Sequence, residues 1–237
     1  MRLGHPSFSR LKLISSIPFP SNFNHICDVC HRAKQTRLSF PNSNKKSVKP
    51  FALIHVDLWG AYSVSSLSGA HYFLTIVDDF SRCTWVFLLK NKFQAYDFLT
   101  MFCQSTQTQF GYPVQVVRSD NGSEFVSGTM RDFFASQGID YQTSCVDTPQ
   151  QNGRVERKHR HILEVARALR FQAHLPLKFW GECVLTAVHL INLMPTPTLK
   201  GKSPYEVLFK SKPNYNHLKV FGSLCYAHNH DKHRDKF

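Results

Sequence analysis

The sequence predicts an α/β layer fold, a mixed five-stranded sheet flanked by helices, and three observations carry that expectation. A group of β-rich runs comes first, strands and helical patterns then alternate, and two longer helical patterns close the chain. Phe51 to Asp57 is an apolar run ending in an acid. Tyr72 to Val77 and Thr84 to Leu89 are rich in β-formers and parted by the turn-forming stretch Asp78-Asp79-Phe80-Ser81-Arg82, so three antiparallel strands are expected. Asn91 can cap a helix in which Phe93, Leu99, Phe102, Cys103 and Phe110 recur near helical spacing, and Gly111-Tyr112-Pro113 stops it. Val114 to Val117 reads as a short strand leading to Asp120, Phe125 to Gln137 as a helix ended by Gly138, and Ile139 to Thr143 as a returning strand. Val155 to Phe171 and Leu177 to Leu193 are the two longer helices, divided by Leu175-Pro176 and closed by Pro195 and Pro197.

Upstream, residues 1–37 form a small module containing Cys27-Asp28-Val29-Cys30, and residues 38–50, rich in Ser, Asn, Pro and Lys, read as a linker. The main domain is expected over 51–213, followed by a trailing segment over 214–237. A chain of 237 residues, 42% hydrophobic and 13% aromatic, has the apolar content to fold rather than stay disordered. Twenty-nine Lys and Arg against 16 Asp and Glu give a formal charge of +13, a field that attracts polyanions, with nucleic acid foremost. Seven cysteines, an odd number and mostly far apart, argue against a disulfide framework and for a reducing compartment. Cys83, Cys103, Cys145, Cys183 and Cys225 fit core positions. The absence of a long uncharged apolar window and of a secretory layout predicts a soluble intracellular protein without a membrane partner.

Asp57 at a strand end, Asp120 at another and Glu156 at a helix start are the acids that an α/β sheet can gather at one edge. Converging carboxylates repel one another and raise each other's pKa until a cation relieves them. Hard oxygen ligands of this kind suit Mg²⁺ or Mn²⁺, and a two-metal site stabilises both the attacking and the leaving oxygen of a phosphodiester. Three unrelated surface acids remain the alternative. Asp78 and Asp79 are read as turn formers, and Glu124 as an acid favouring a helix N-terminus. Asn121-Gly122 and Asn152-Gly153 permit tight turns beside Asp120 and before Glu156. Arg160, four residues after Glu156, shares its helix face and suits a phosphate, whereas Lys158 and His159 point elsewhere.

Asp57-Leu-Trp-Gly, Ser119-Asp-Asn-Gly-Ser-Glu-Phe125 and Thr148-Pro-Gln-Gln-Asn-Gly-Arg-Val-Glu156-Arg-Lys-His closely resemble the integrases of copia-type LTR retrotransposons, and the 35 residues between Asp120 and Glu156 match that family's spacing. The resemblance spans nearly the whole chain; Gly201 to Phe209 and His217 to Cys225 share it. It implies a ribonuclease H-like core in which Asp57, Asp120 and Glu156 are catalytic and hold Mg²⁺ or Mn²⁺. It also implies a mobile loop at Gln150 to Gly153 that closes over DNA ends. Its expected DNA contacts are Asn152, Arg154, Lys158, His159 and Arg160, its partners element ends and target DNA, and its working form a homo-oligomer acting in the nucleus after cytoplasmic assembly. The family's N-terminal module binds zinc through two histidines and two cysteines, which here selects His5, Cys27 and Cys30. The histidine paired with His5 would fall before Met1, leaving His25 or His31 as substitutes, so the chain reads as a segment of a larger polyprotein. Metal-dependent DNA strand transfer is the expected activity. A catalytically silent nucleic-acid-binding relic and a ribonuclease H-type nuclease are the alternatives, separated from it by a joining assay on element-end oligonucleotides.

Overall fold

The computed structural model describes residues 47–143 and 153–225, with positions 13, 29 and 32 besides. The chain separates into two units, Met1–Lys45 and Lys46–Phe237, and the elements below belong to the second. His5, Cys27, Cys30, Cys145 and Asn152 lie outside the described residues.

Five strands form one mixed sheet in the order β3-β2-β1-β4-β5: β1 (Ile54–Trp59), β2 (Tyr72–Asp78), β3 (Thr84–Leu89), β4 (Val116–Ser119) and β5 (Asp140–Thr143). The β1–β2 and β2–β3 pairs are antiparallel, joined by local turns, whereas β4 runs parallel to β1 and β5 parallel to β4. Parallel neighbours need crossover connections, and helices supply them. These are α1 (Gln94–Phe110) between β3 and β4, and α2 (Gly128–Gln137) between β4 and β5; α3 (Gly153–Gln172), α4 (Trp180–Leu193) and the short α5 (Pro204–Phe209) follow.

Strand alternation explains the layers. Ile54, Val56, Leu74 and Ile76 face a core shared with Leu99 and Phe102 of α1 and with Met130 and Phe134 of α2. Phe73, on the opposite parity of β2, joins a second core with Ile162 of α3 and with Trp180, Val184 and Ala187 of α4. Successive strand residues point to opposite faces, so His55, Asp57 and Trp59 share the α3–α4 side.

Helix boundaries follow from local chemistry. Before α1, Asn91 Oδ1 accepts from the Gln94 N–H at 3.3 Å while Gln94 Oε1 accepts from the Lys90 N–H at 2.7 Å, a reciprocal arrangement that satisfies donors at the helix start. Gly111 ends α1 and Gly138 ends α2, each in the left-handed conformation that glycine adopts without a Cβ penalty. The second helix starts at Gly128, later than the pattern from Phe125 predicts, because Phe125 and Val126 both donate back to the Gly122 carbonyl in a turn that precedes the Ser127 cap. Cys83, Cys103 and Cys183 are buried as expected; Cys225 is exposed, since it lies in irregular backbone beyond the last helix. Among the described residues no helix is long and apolar enough to cross a membrane.

Candidate active site

Asp57 is not at the end of its strand, as the apolar run suggests, but inside β1, because Leu58 and Trp59 continue the ladder opposite Leu74 and Phe73. Its direct cross-strand partner on β2 is Thr75. The parallel neighbour fixes the second acid. Ile54 stands opposite Val117 and His55 opposite Arg118. Asp57 and Asp120 each lie three residues beyond that first pair, Asp57 within β1 and Asp120 in the loop after β4, and Asp120 is near enough to act on the Asp57 carboxyl.

The loop after β4 is built around its acid. Asp120 Oδ1 accepts from the Gly122 N–H at 3.0 Å. A Cβ on Gly122 would come within 2.9 Å of the Glu124 carboxyl group and 3.0 Å of Asp120 Oδ1, so the two carboxylates flank this glycine. Glu124 was read as favouring a helix start, but it sits in the turn before α2, with 8% of its side chain exposed. Below, the Ser119 hydroxyl donates to the Asp120 carbonyl at 2.7 Å and pairs with the Tyr141 hydroxyl of β5 at 2.8 Å, which anchors this backbone.

The third predicted acid, Glu156, lies in the first turn of α3 and is exposed. Its charge nevertheless reaches Asp57, whose carboxyl is pushed up to about 7 by burial first, then by Asp120, with Glu156 and Glu124 adding and the Leu58 N–H at 2.8 Å opposing. The structure therefore brings Asp120 and Glu156 within electrostatic reach of Asp57 and adds a fourth acid, Glu124. Among the described residues no three His, Cys, Asp or Glu side chains are arranged as a metal-ion cage. The donor set fits a hard divalent cation in chemistry: all carboxylates, one of them with its proton held by burial and by its acidic neighbours.

This has a consequence for stability. The folded state holds the Asp57 proton to about 7, against an ordinary value of 3.8, so metal-free stability from this group is full below the ordinary value and is lost as pH rises through about 7. Asp57→Asn is expected to gain on wild type between pH 5 and pH 8, by up to about 1.4 kcal/mol per pH unit. Excess Mg²⁺ should narrow the gap at pH 8. Urea melts at both pH values check it, and a pH-independent difference would count against the acid cluster.

The remaining predicted residues divide. Arg154 is not presented to solvent as a free phosphate ligand. It pairs with the buried Asp79, which also accepts from the Ser47 N–H at 2.9 Å, His55 Nε2 at 3.2 Å and Arg82 at 3.0 Å. Asp78 accepts from the Phe51 and Ser81 N–H groups, each at 2.9 Å, and from the Ser81 hydroxyl at 2.6 Å. Both acids of the β2–β3 turn are thus occupied structurally. Burial, with Arg118, Arg154 and Arg82 adding, lowers His55 to about 3, so its ring is neutral; Nε2 donates to Asp79 and Nδ1 is buried without a partner.

Lys158 is half-buried, and burial depresses its amine, with Cys83 and Arg82 close by. His159 is buried rather than solvated. It takes an apolar slot in the stripe Val155, His159, Ile162, Ala166, and the helical spacing of that stripe was the available signal for it. Arg157 and Arg160 are exposed on α3. Arg160→Ala is expected to weaken DNA binding and lower its salt slope by about 1 without changing the melt, whereas Arg154→Ala should lower the melt. Salt-dependent DNA titrations beside thermal melts of the two variants distinguish these outcomes.

Residues 47–149 match the family model described as the integrase core domain, a span that includes Asp57 and Asp120 and ends before Glu156. The chain is 38% identical over 244 residues to a retrovirus-related Pol polyprotein from transposon RE2 of Arabidopsis thaliana, covering 99% of this chain and 17% of that protein. It is 35% identical over 239 residues to the corresponding polyprotein from transposon TNT 1-94 of Nicotiana tabacum, covering 99% and 18%. The chain thus spans less than a fifth of these relatives' length. Among solved structures, a chain of a simian T-cell lymphotropic virus intasome in complex with a PP2A regulatory subunit superposes with a TM-score of 0.58 at 18% identity, over 86% of this chain and 68% of that one, a likeness of fold. Residues 47–149 thus match the integrase core domain, and nearly the whole chain is similar to a segment of the retrovirus-related Pol polyproteins of these transposons.

Proposed function

We propose that this segment is the catalytic core of a retrotransposon integrase that joins element DNA ends to target DNA, with Asp57, Asp120 and Glu156 as its catalytic carboxylates. The observation that carries the reading is the parallel β1–β4 register, which sets Asp57 and Asp120 side by side, together with the raised Asp57 carboxyl that reports Glu156 nearby. The three carboxylates would hold Mg²⁺ or Mn²⁺, and a bound pair of such ions supplies charge stabilisation to the attacking and leaving oxygens of a phosphodiester.

The chain's own contribution is placement. β1 holds Asp57, the loop after β4 holds Asp120 through its bond from the Gly122 N–H, and α3 delivers Glu156 at its N-terminal end, where the helix dipole favours a carboxylate. Arg157 and Arg160, exposed on the same helix, are suited to phosphates of the DNA backbone. The relatives' description as retrovirus-related Pol polyproteins and the neighbour's description as an intasome support DNA as partner and a homo-oligomer as the working form; action in the nucleus is part of the proposal and follows from joining to target DNA.

The test is a joining assay with oligonucleotides matching the element ends, run with Mg²⁺ or Mn²⁺ and with chelator. Metal-dependent joined product is expected. DNA binding without joining under any metal would instead leave a nucleic-acid-binding relic, and cleavage confined to RNA–DNA hybrids would favour the nuclease.

A further inference from the structure

His159 stands over the Asp57–Thr75 cross-strand pair and touches both members. Its Nε2 lies 2.9 Å from the Thr75 hydroxyl, and its Nδ1 lies 3.5 Å from Asp57 Oδ2. Asp57 Oδ1 is already held by the Leu58 N–H, so Oδ2 is the oxygen left for the ring. An edge-on contact with Phe73, with ring centroids 5.5 Å apart, keeps the imidazole from swinging away.

We infer that His159 is a positioning residue that fixes the rotamer of Asp57 and the approach of the Glu156-bearing helix to the sheet. The proton arrangement follows from what each neighbour can offer. With Asp57 Oδ2 as the acceptor facing it at 3.5 Å, Nδ1 is the nitrogen that carries the hydrogen; the Nε2 lone pair then accepts from the Thr75 hydroxyl, which can rotate to donate. His159 lies three residues after Glu156 on the same helix, so one side chain ties the helix carrying one acid to the strand carrying another. Partners of this kind orient metal ligands, and their loss costs about 10–100-fold in metal affinity.

The inference rests on the proposed role of the acid cluster, and its test separates the two. Mn²⁺ binding is measured by electron paramagnetic resonance on the folded chain, wild type against Asp120→Asn, His159→Leu, His159→Asn and Thr75→Val. His159→Leu is expected to lose about tenfold or more in Mn²⁺ affinity. His159→Asn, whose amide nitrogen stands in for Nδ1, should stay within about threefold of wild type by the same reasoning. Thr75→Val keeps the volume and removes the hydroxyl that orients the ring, so it should weaken binding even if the leucine variant fails to fold. Wild-type affinity in both Thr75→Val and His159→Leu would overturn the inference while leaving the acid cluster intact. Mn²⁺ binding that ignores Asp120→Asn would overturn the cluster and the inference with it. Imidazole ¹⁵N shifts at pH 8, assigned by the signal lost in His159→Asn, provide a readout independent of metal: the Nδ1–H tautomer is expected, and Nε2–H would refute the arrangement.

Discussion

Asp120→Asn is expected to lower metal-dependent strand transfer by well over a hundredfold and, in the same protein, to raise metal-free stability. The two effects have one cause. Among neighbouring charges Asp120 contributes most to the raised Asp57 carboxyl, so removing its charge lets Asp57 ionise closer to its ordinary range and relieves repulsion between neighbouring strands. The amide still accepts from the Gly122 N–H, so the turn beside Gly122 is retained. Activity falls because an amide oxygen is a weaker ligand than a carboxylate for a hard cation, and losses from a direct ligand exceed the 10–100-fold typical of outer partners. Single-turnover joining beside urea melts at pH 8 measures both. Lost activity with lost stability would mean that Asp120 serves the fold, and retained activity would remove it from the site.

The second large effect is structural. Asp79 is 1% exposed and faces Arg82 and Arg154, whose side chains are 15% and 24% exposed, as well as the neutral ring of His55. Asp79→Ala removes the carboxylate that Arg82 and Arg154 share and the acceptor of His55 Nε2–H. Removing one partner of a buried ionic network costs about 3–5 kcal/mol, a large part of the stability of a domain this size. Guanidinium denaturation should show the midpoint falling accordingly, and a loss under about 1 kcal/mol would show that the network is solvent-compensated. Arg154 lies two residues before Glu156, so this variant should also loosen the first turn of α3 and reduce joining in whatever fraction remains folded.

The strands and helices were legible because each local signal agreed with the pattern around it: the alternation of β1 to β3, the glycine stops at Gly111 and Gly138, and the apolar stripe of α3. Asp57 and Asp120 were legible as acids near strand ends, but their side-by-side placement depends on strand order and register, which spacing along the chain does not encode. Arg154 and His159 have partners within the fold that their place in the sequence does not show. A basic residue on a helix beside acids reads as a DNA contact, yet its partners, Asp79 in one case and Thr75 and Asp57 in the other, lie 75 to 102 residues away in the sequence and become visible only once α3 is laid on the sheet. Glu124 was discounted because the helix was expected to begin at Phe125; the turn back to Gly122 is what directs its carboxyl toward Asp120.

The parallel pairing of β1 with β4 also governs when the site can exist during folding. The antiparallel strands β1 to β3 follow one another in sequence, across residues 60–71 and the turn 79–83, and contacts this local close at less entropic cost than the parallel pairings. Bringing β4 beside β1 requires α1 to cross over first, and Glu156 arrives only with α3, whose sequence follows the whole sheet. A nascent chain can therefore assemble much of its hydrophobic sheet before its carboxylates meet. Their repulsion is imposed late, on a framework already cooperative enough to bear it, rather than on the nucleus that starts the process.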